Sequence, residues 1–206
     1  MKIGIMGGTF NPIHNGHLML AEYAYRQYEL DEIWFMPNGN PPHKSDPHII
    51  QATIDRLKMT ELAVSDIPYF KVSDHELNKK EKCYSYQTFS ELKTLYPEDV
   101  FFFIIGADSL FHIETWKHPE ILIPEVTILA AFRDDVDTLA EMDAQIDYLN
   151  KKYNGDIRLL KTPVLKISSH EIREQIHEGS ELPLPVPKKV KEYIDSKHLY
   201  QGEIYE

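Results

Sequence analysis

Short apolar runs alternate with longer amphipathic segments along most of the chain. An apolar run of four to eight residues bounded by turn residues is typical of a strand, whereas apolar residues three and four apart are typical of a helix. The predicted strands are Lys2–Met6, Glu32–Met36, Tyr69–Val72, Val100–Ile105, Val126–Phe132 and Ile157–Val164. The helices predicted between them include His17–Tyr28, Ile49–Val64 and Tyr86–Tyr96. This alternation predicts an α/β fold with a doubly wound parallel sheet.

Two of these segments carry more detailed predictions. The run VFFFII at 100–105 is apolar throughout and ends at Gly106, which is typical of a central parallel strand that is covered on both faces. In the helix predicted at 49–64, one broad apolar stripe is expected to form the buried face, and it consists of Ile50, Ile54, Leu57, Leu62 and Ala63.

The pattern changes at Ser168, where two amphipathic helices follow, joined by the proline-rich segment LPLPVP. We therefore predict two parts, an α/β domain over 1–166 and a small C-terminal helical subdomain over 167–206.

The net charge narrows the classes of binding partner, and the cysteine content limits which disulfides can form. The formal net charge of -11 repels DNA, RNA and anionic lipid, so we expect neither a nucleic acid nor a membrane as partner. An anionic ligand would need a site that is locally basic. Cys83 is the single cysteine and is expected to be buried or half-buried, and no internal disulfide can form. No leader or membrane-spanning segment is evident, so we expect a cytoplasmic protein.

The segment GGTFNPIHNGH, from Gly7 to His17, follows the first strand, where ligands bind in an open parallel sheet. Gly7 and Gly8 let the backbone approach a phosphate, and His14 and His17 are three residues apart, so one helical turn would direct both imidazoles the same way. With the N-terminus of a helix behind them, they form a candidate polyphosphate site. The alternatives are a dinucleotide fingerprint, which lacks the G-x-G-x-x-G spacing, and a zinc site, which lacks a third ligand.

The string T-F-N-P-I-H-N-G-H resembles the signature of the nucleotidyltransferase superfamily with the H-x-G-H motif. Met36-Pro37-Asn38 and Pro41-Pro42-His43-Lys44 resemble the M-P-x-x-x-P-P-H-K loop of bacterial nicotinate-nucleotide adenylyltransferases, and the similarity extends along nearly the whole chain. The resemblance implies a Rossmann-like nucleotidyltransferase fold. It also implies transfer of AMP from ATP to nicotinic acid mononucleotide, with release of pyrophosphate.

Further motifs carry the resemblance, each beside a simpler interpretation. Tyr84-Ser85-Tyr86-Gln87-Thr88 is similar to the family's Y-T-x-D-T segment, with Ser85 and Gln87 as departures. Asp108, in a G-A-D turn, could equally cap the next helix, and Trp116 could be a core residue. The string ISSHEIR at 167–173 is similar to I-S-S-T-x-I-R, with His170 as a departure, and Ser168 with Glu171 could form a capping box.

The roles implied by the resemblance fall into three sets. The residues implied in catalysis are His14, His17, Lys44 and Arg173. Those implied in ATP binding are Gly7, Gly8, Thr9, Phe10, His14, His17, Gly106, Asp108, Ser168, Ser169 and Arg173. Those implied in binding the nicotinate nucleotide are Asn11, Lys44, Tyr84, Ser85, Thr88, Trp116 and Arg133, although Asp134-Asp135 departs from the family after Arg133.

The resemblance further implies that Mg²⁺ enters on ATP, because no dense carboxylate cluster lies near these motifs and Mg²⁺ often binds through substrate phosphates. We expect ATP and nicotinic acid mononucleotide as the ligands, and a homo-oligomer is compatible with the sequence. Three other functions stay open at this point. They are another adenylyl- or cytidylyltransferase, such as one acting on phosphopantetheine, a non-catalytic nucleotide sensor, and a zinc hydrolase.

Overall fold

The computed structural model describes residues 1–39, 53–77, 79, 81–132, 136–163, 167–180 and 183–202. The strands are β1 (Lys2–Gly8), β2 (Glu32–Pro37), β3 (Phe70–Val72), β4 (Val100–Gly106), β5 (Thr127–Ala131) and β6 (Ile157–Leu160). The helices are α1 (Asn15–Gln27), α2 (Thr53–Val64), α3 (Ser85–Leu95), α4 (Ala107–His112), α5 (Pro119–Glu125), α6 (Val136–Tyr153), α7 (Ser169–His177) and α8 (Lys188–Lys197). A 3₁₀ turn, Ile113–Thr115, follows α4.

The six strands form one parallel sheet in the order β3-β2-β1-β4-β5-β6. The chain runs outward from β1 to one edge and then returns to build the other half beyond β4. The order therefore changes direction between β1 and β4, and an open sheet binds its ligands at the carboxyl ends of the strands at such a point. This confirms the predicted doubly wound, Rossmann-like sheet.

The strand β4 is covered on both faces, as its apolar run predicts. Phe102 and Ile104 belong to one core cluster, together with α1, α2 and the C-terminal helices. Phe101, Phe103 and Ile105 belong to the other cluster, on the opposite face, with α3, α5 and α6. Cys83 is buried, as predicted.

Most element boundaries differ from the predictions by one or two residues, and the end of the last strand differs by four. The helix α1 begins at Asn15 and not at His17, because His14 takes the extended N-cap position in front of it. The strand β6 ends at Leu160, four residues before the predicted end. Residues 49–52, the predicted start of the second helix, lie outside the described residues.

The two C-terminal helices pack into the same core as the sheet. Ile172 of α7 and Val190 and Ile194 of α8 are buried in the cluster that contains Met6 and Phe10, and α8 packs along α2. Over the part of the chain that the structure describes, no helix is both long enough and apolar enough to cross a membrane.

Candidate active site

The loop after β1 turns sharply over a buried phenylalanine. Phe10 has a left-handed backbone, with φ of 50°, and its ring lies so close beneath Gly8 that a Cβ there would come within 2.7 Å of it. The ring packs against Phe35 and meets the edge of His17 at 5.0 Å between centroids. The Phe10 side chain is buried, and a contact between Phe10 and ATP stays a prediction.

The two histidines of the motif are stacked at the start of α1. Their ring centroids are 3.7 Å apart and the planes differ by 21°, so the three-residue spacing does direct both rings the same way, as predicted. His14 is only 3% exposed. Its backbone N–H donates to Nδ1 of His17 at 3.3 Å, which leaves Nε2 as the protonated nitrogen of a neutral His17 ring. The hydrogen bond thus selects the tautomer in which Nε2 can donate to a ligand.

Gly16 provides the space for this stack. A Cβ on Gly16 would lie 3.0 Å from Nδ1 of His14 and 3.7 Å from Ile167. The glycine between the two histidines therefore leaves room for the close approach of the first ring.

Side chains from the C-terminal region hold the turn formed by Asn11 and Pro12. Arg173 on α7 donates from Nη1 to the Asn11 carbonyl at 2.8 Å, and the Ser169 hydroxyl donates to the Pro12 carbonyl at 2.9 Å. The Tyr200 hydroxyl donates to Oδ1 of Asn11 at 2.7 Å. The structure therefore brings the predicted serine and arginine of the ISSHEIR segment to the loop that carries the histidines.

Ser168 has a structural role that the sequence also indicated. It is the N-cap of α7, where its hydroxyl accepts from the Glu171 N–H at 3.1 Å, and its own N–H donates to the Glu171 carboxylate at 3.2 Å. This confirms the capping box. A contact between Ser168 and ATP stays a prediction.

The G-A-D turn lies at the carboxyl end of β4, next to β1 in the sheet. Gly106 is the N-cap of α4, so the interpretation of Asp108 as the N-cap is wrong. Asp108 instead lies in the first turn of α4 with an exposed side chain, which leaves its carboxylate available for ribose hydroxyls.

The residues predicted to bind the nicotinate nucleotide are only partly accessible. Tyr84 is the N-cap of α3 and Ser85 begins that helix, both half-buried. Thr88 is buried and donates to Oε1 of Glu76 at 2.6 Å, and its contact with the ligand stays a prediction. Burial raises the pKa of the Glu76 carboxyl, and the Thr88 hydroxyl opposes that rise.

The structure supports the interpretation of Trp116 as a core residue in part. The tryptophan is half-buried and packs against the second core cluster, with its ring 6.1 Å from Phe103, so part of it serves the core. Nearby along the chain, His118 meets the ring of Tyr86 edge to face at 4.8 Å, a contact that the sequence did not indicate. Lys44 and Arg133 lie outside the described residues.

Arg56 on α2 is a site residue that sequence reasoning missed. Its side chain is 0% exposed, and Nη1 donates to the Thr9 carbonyl at 2.7 Å while Nη2 donates to the Asn38 carbonyl at 2.9 Å. Burial lowers the pKa of its guanidinium. The buried face of α2 runs through Arg56, Met59, Thr60 and Ala63, at helical spacing. Ile54, expected on that face, is 79% exposed.

The spacing of the buried residues could have identified Arg56. It precedes Met59, Thr60 and Ala63 by three, four and seven residues, which is the spacing of one helix face. An arginine in line with such a stripe signals a buried cation that needs partners. Tyr200 gave no comparable signal, because it follows α8 in an irregular segment.

Comparisons with known proteins agree with this geometry. The model of the cytidylyltransferase-like family matches residues 5–175. A protein of Lachnoclostridium phytofermentans named "Probable nicotinate-nucleotide adenylyltransferase" is 45% identical over 199 residues, covering 97% of this chain and 98% of that protein. A protein of the same name from Exiguobacterium sibiricum is 38% identical over 200 residues, covering 97% of this chain and 99% of its own length.

Among solved structures, the nicotinic acid mononucleotide adenylyltransferase of Plasmodium falciparum complexed with NaAD has a similar fold. The TM-score is 0.73 with 23% sequence identity, over 98% of both chains. At this level of identity the likeness concerns the fold alone, and it agrees with the sheet order described above.

Proposed function

The chain belongs to the nicotinate-nucleotide adenylyltransferases of the cytidylyltransferase-like family, and from that premise we propose that it transfers AMP from ATP to nicotinic acid mononucleotide. The products are nicotinic acid adenine dinucleotide and pyrophosphate, a step of NAD biosynthesis. One observation carries the proposal. The stacked pair His14 and His17 lies at the carboxyl end of β1, on the loop whose Asn11 carbonyl accepts from Arg173.

The reaction needs positioning more than proton transfer. The phosphate monoester of the mononucleotide is already an anionic nucleophile, so it attacks the α-phosphorus of ATP in line and expels pyrophosphate without a general base. Negative charge then builds on the α-phosphate and on the leaving group, and donors placed there lower the barrier. Nε2 of His17 and the Arg173 guanidinium are groups of this kind, and the N-terminus of α1 adds its backbone amides.

The other residues keep the roles that the family resemblance implies, as part of the proposal. The set proposed to hold ATP together with the two histidines and Arg173 is Gly7, Gly8, Thr9, Phe10, Gly106, Asp108, Ser168 and Ser169. The set proposed to hold the mononucleotide is Asn11, Lys44, Tyr84, Ser85, Thr88, Trp116 and Arg133. The segment 167–206 completes the ATP site, consistent with its hydrogen bonds to Asn11 and Pro12.

We propose that Mg²⁺ is carried by the triphosphate. Bound there, the ion neutralises part of the phosphate charge and keeps several waters. Within the described residues, no group of three or more His, Cys, Asp or Glu side chains is placed to hold a metal ion. Residues that contact the phosphates would therefore orient the ion through them. A cytoplasmic location and a homo-oligomer stay sequence-based predictions.

The proposal is tested by the acceptor that the purified protein uses. Pyrophosphate release from Mg-ATP is measured with nicotinic acid mononucleotide, nicotinamide mononucleotide and phosphopantetheine side by side. We expect turnover with nicotinic acid mononucleotide to exceed that with the other two acceptors. Faster turnover with phosphopantetheine would assign the protein another reaction of the same superfamily, and ATP binding without turnover would assign it a sensor role.

A further inference from the structure

Arg56 connects the two loops on which the proposed site is built, although the proposed mechanism does not use it. One guanidinium nitrogen donates to the carbonyl of Thr9, in the loop after β1, and the other to the carbonyl of Asn38, in the loop after β2. Nη2 also lies 3.3 Å from the hydroxyl of Thr53 at the start of α2. A single planar group therefore spans the carboxyl ends of two neighbouring strands.

The two loops also touch directly. The Asn38 N–H donates to the Gly8 carbonyl at 2.9 Å, immediately beside the Arg56 contacts. The first loop continues to His14 and His17, and the second continues along the chain to Lys44. The position of the histidine loop relative to the start of the loop after β2 thus depends on how Thr9 and Asn38 are fixed to each other.

The chemistry of the guanidinium fits this task better than a packing role. Burying a cation carries a large desolvation cost, which a well-packed apolar side chain of similar volume would avoid. What the arginine adds is a rigid fork of donors that fixes two acceptors at a set separation, which a lysine cannot do. Since both acceptors are loop carbonyls, the result is a fixed distance between the loops.

We propose that Arg56 is a positioning residue, which holds the Thr9 and Asn38 carbonyls together and so sets the distance between the histidine loop and the loop that leads to Lys44. This inference rests on the proposed function for the roles of those loops. Arg56 acts through the groups it positions and does not itself contact the reacting phosphates.

The experiment replaces the forked guanidinium of Arg56 by a lysine amine, which keeps the positive charge. In Arg56→Lys we expect kcat to fall about 100-fold, the effect of misplacing reacting groups by roughly 1 Å, while the protein stays folded at the assay temperature. Thr53→Ala removes one neighbour of Nη2 and should lower kcat by a few fold with the fold kept. The matched control is Arg26→Lys, since Arg26 is an exposed arginine on α1 that pairs with Glu22. We expect Arg26→Lys to match the wild type.

A double-mutant cycle separates positioning from a general structural defect. If Arg56 acts through the histidine loop, the effect of Arg56→Lys on kcat will be clearly smaller in the His17→Ala background than in the wild type, because part of that effect is exerted through His17. Multiplied effects, or an unchanged kcat in folded Arg56→Lys, would overturn the proposal. If Arg56→Lys does not fold, Thr53→Ala is taken through the same cycle with the same two outcomes.

The wild type is measured in parallel with each acceptor. This measurement tests the proposed function separately from the role of Arg56. The variants are assayed with whichever acceptor the wild type uses. Turnover with another acceptor would refute the proposed function while still testing Arg56.

Discussion

At the scale of single residues, the hydrogen bond from the His14 N–H to His17 makes the clearest prediction. It selects the tautomer in which Nε2 of His17 can donate to charge that develops on ATP. We expect His17→Ala to lower kcat by about 10²- to 10³-fold, the loss typical of removing one transition-state donor. Steady-state turnover with nicotinic acid mononucleotide measures it.

His177→Ala is the control for this experiment, because His177 is an exposed histidine in the last turn of α7. Its turnover should equal that of the wild type. Near-normal kcat in His17→Ala would remove His17 from the mechanism.

A substitution at Gly16 tests whether the position of the stacked His14 ring matters for the reaction. In Gly16→Ala the new Cβ would lie 3.0 Å from Nδ1 of His14, so that ring must shift by a few tenths of an ångström. We expect kcat to fall roughly tenfold, less than on loss of a ring, because the displacement is small. Alanine is a better helix former than glycine by about 1 kcal/mol, so Tm should not fall.

The control is Gly202→Ala, whose Cβ would meet no atom within 4 Å. It should leave both kcat and Tm unchanged. A normal kcat in Gly16→Ala would show that the exact place of the His14 ring is unimportant for the reaction.

Local pattern made some residues of the site predictable and left others out of reach. The three-residue spacing of the histidines follows from helix geometry, and Ser168 and Glu171 form their capping box within one turn. By contrast, the burial of Phe10 and Thr88 was not predicted, since it depends on tertiary contacts such as those of Phe10 with Phe35 and of Thr88 with Glu76. Such packing depends on the tertiary structure and cannot be predicted from the local motif.

At the scale of elements, the capping box of α7 has two interpretations that mutation can separate. Ser168→Ala removes the cap, which typically costs about 1 kcal/mol and so lowers Tm by roughly 2–4 °C at this size. Ser168→Asp keeps a capping oxygen and brings a negative charge to the proposed phosphate site. We expect it to keep Tm while the KM for ATP rises about tenfold, since like charges repel.

Thermal melts and ATP titrations of the two variants measure this split. An unchanged KM for ATP in Ser168→Asp would leave Ser168 with its capping role alone.

The elements themselves were largely predictable, because apolar runs and helical spacing are strong signals. Their ends were not, since a histidine in the N-cap position moved the start of α1 to Asn15. The buried face of α2 was predicted in part, since Ala63 is buried as expected while Leu57 and Leu62 are half-buried. Ile54 is 79% exposed while Arg56 is 0% exposed, since the loop carbonyls of Thr9 and Asn38 provide acceptors that the sequence pattern cannot reveal.

At the scale of the whole molecule, contacts between the two ends of the sequence complete the proposed site. Arg173 and Asn11 are 162 residues apart in the chain, and Tyr200 and Asn11 are 189 apart. Periodicity cannot predict such pairs, and only the family resemblance implied that the ISSHEIR segment would meet the first loop. The first of these contacts brings the Arg173 cation to the histidine loop in a chain whose net charge is -11, and an anionic ligand requires such local positive charge.

Because the C-terminal helices share a hydrophobic core with the sheet, we predict that the segment 167–206 unfolds together with the sheet. Ile194 of α8 is 1% exposed in the cluster that contains Met6 and Phe10. Truncating a buried isoleucine to alanine costs about 2–5 kcal/mol, and each kcal/mol lowers Tm by roughly 2–4 °C in a chain of this length. In Ile194→Ala we therefore expect a midpoint about 4–20 °C lower.

Tryptophan fluorescence measures this midpoint in the sheet itself, because both tryptophans, Trp34 and Trp116, precede the C-terminal segment. Ile54→Ala is the control, since that side chain is largely exposed and its loss should change the stability by less than about 0.5 kcal/mol. If the tryptophan midpoint stayed constant in Ile194→Ala while circular dichroism detected an earlier loss of helix, 167–206 would be a separately folding subdomain. If the fluorescence and circular dichroism midpoints fall together, the boundary at 166 divides functions and not folding units. The side chains that hold the histidine loop are then stable only as long as the sheet is.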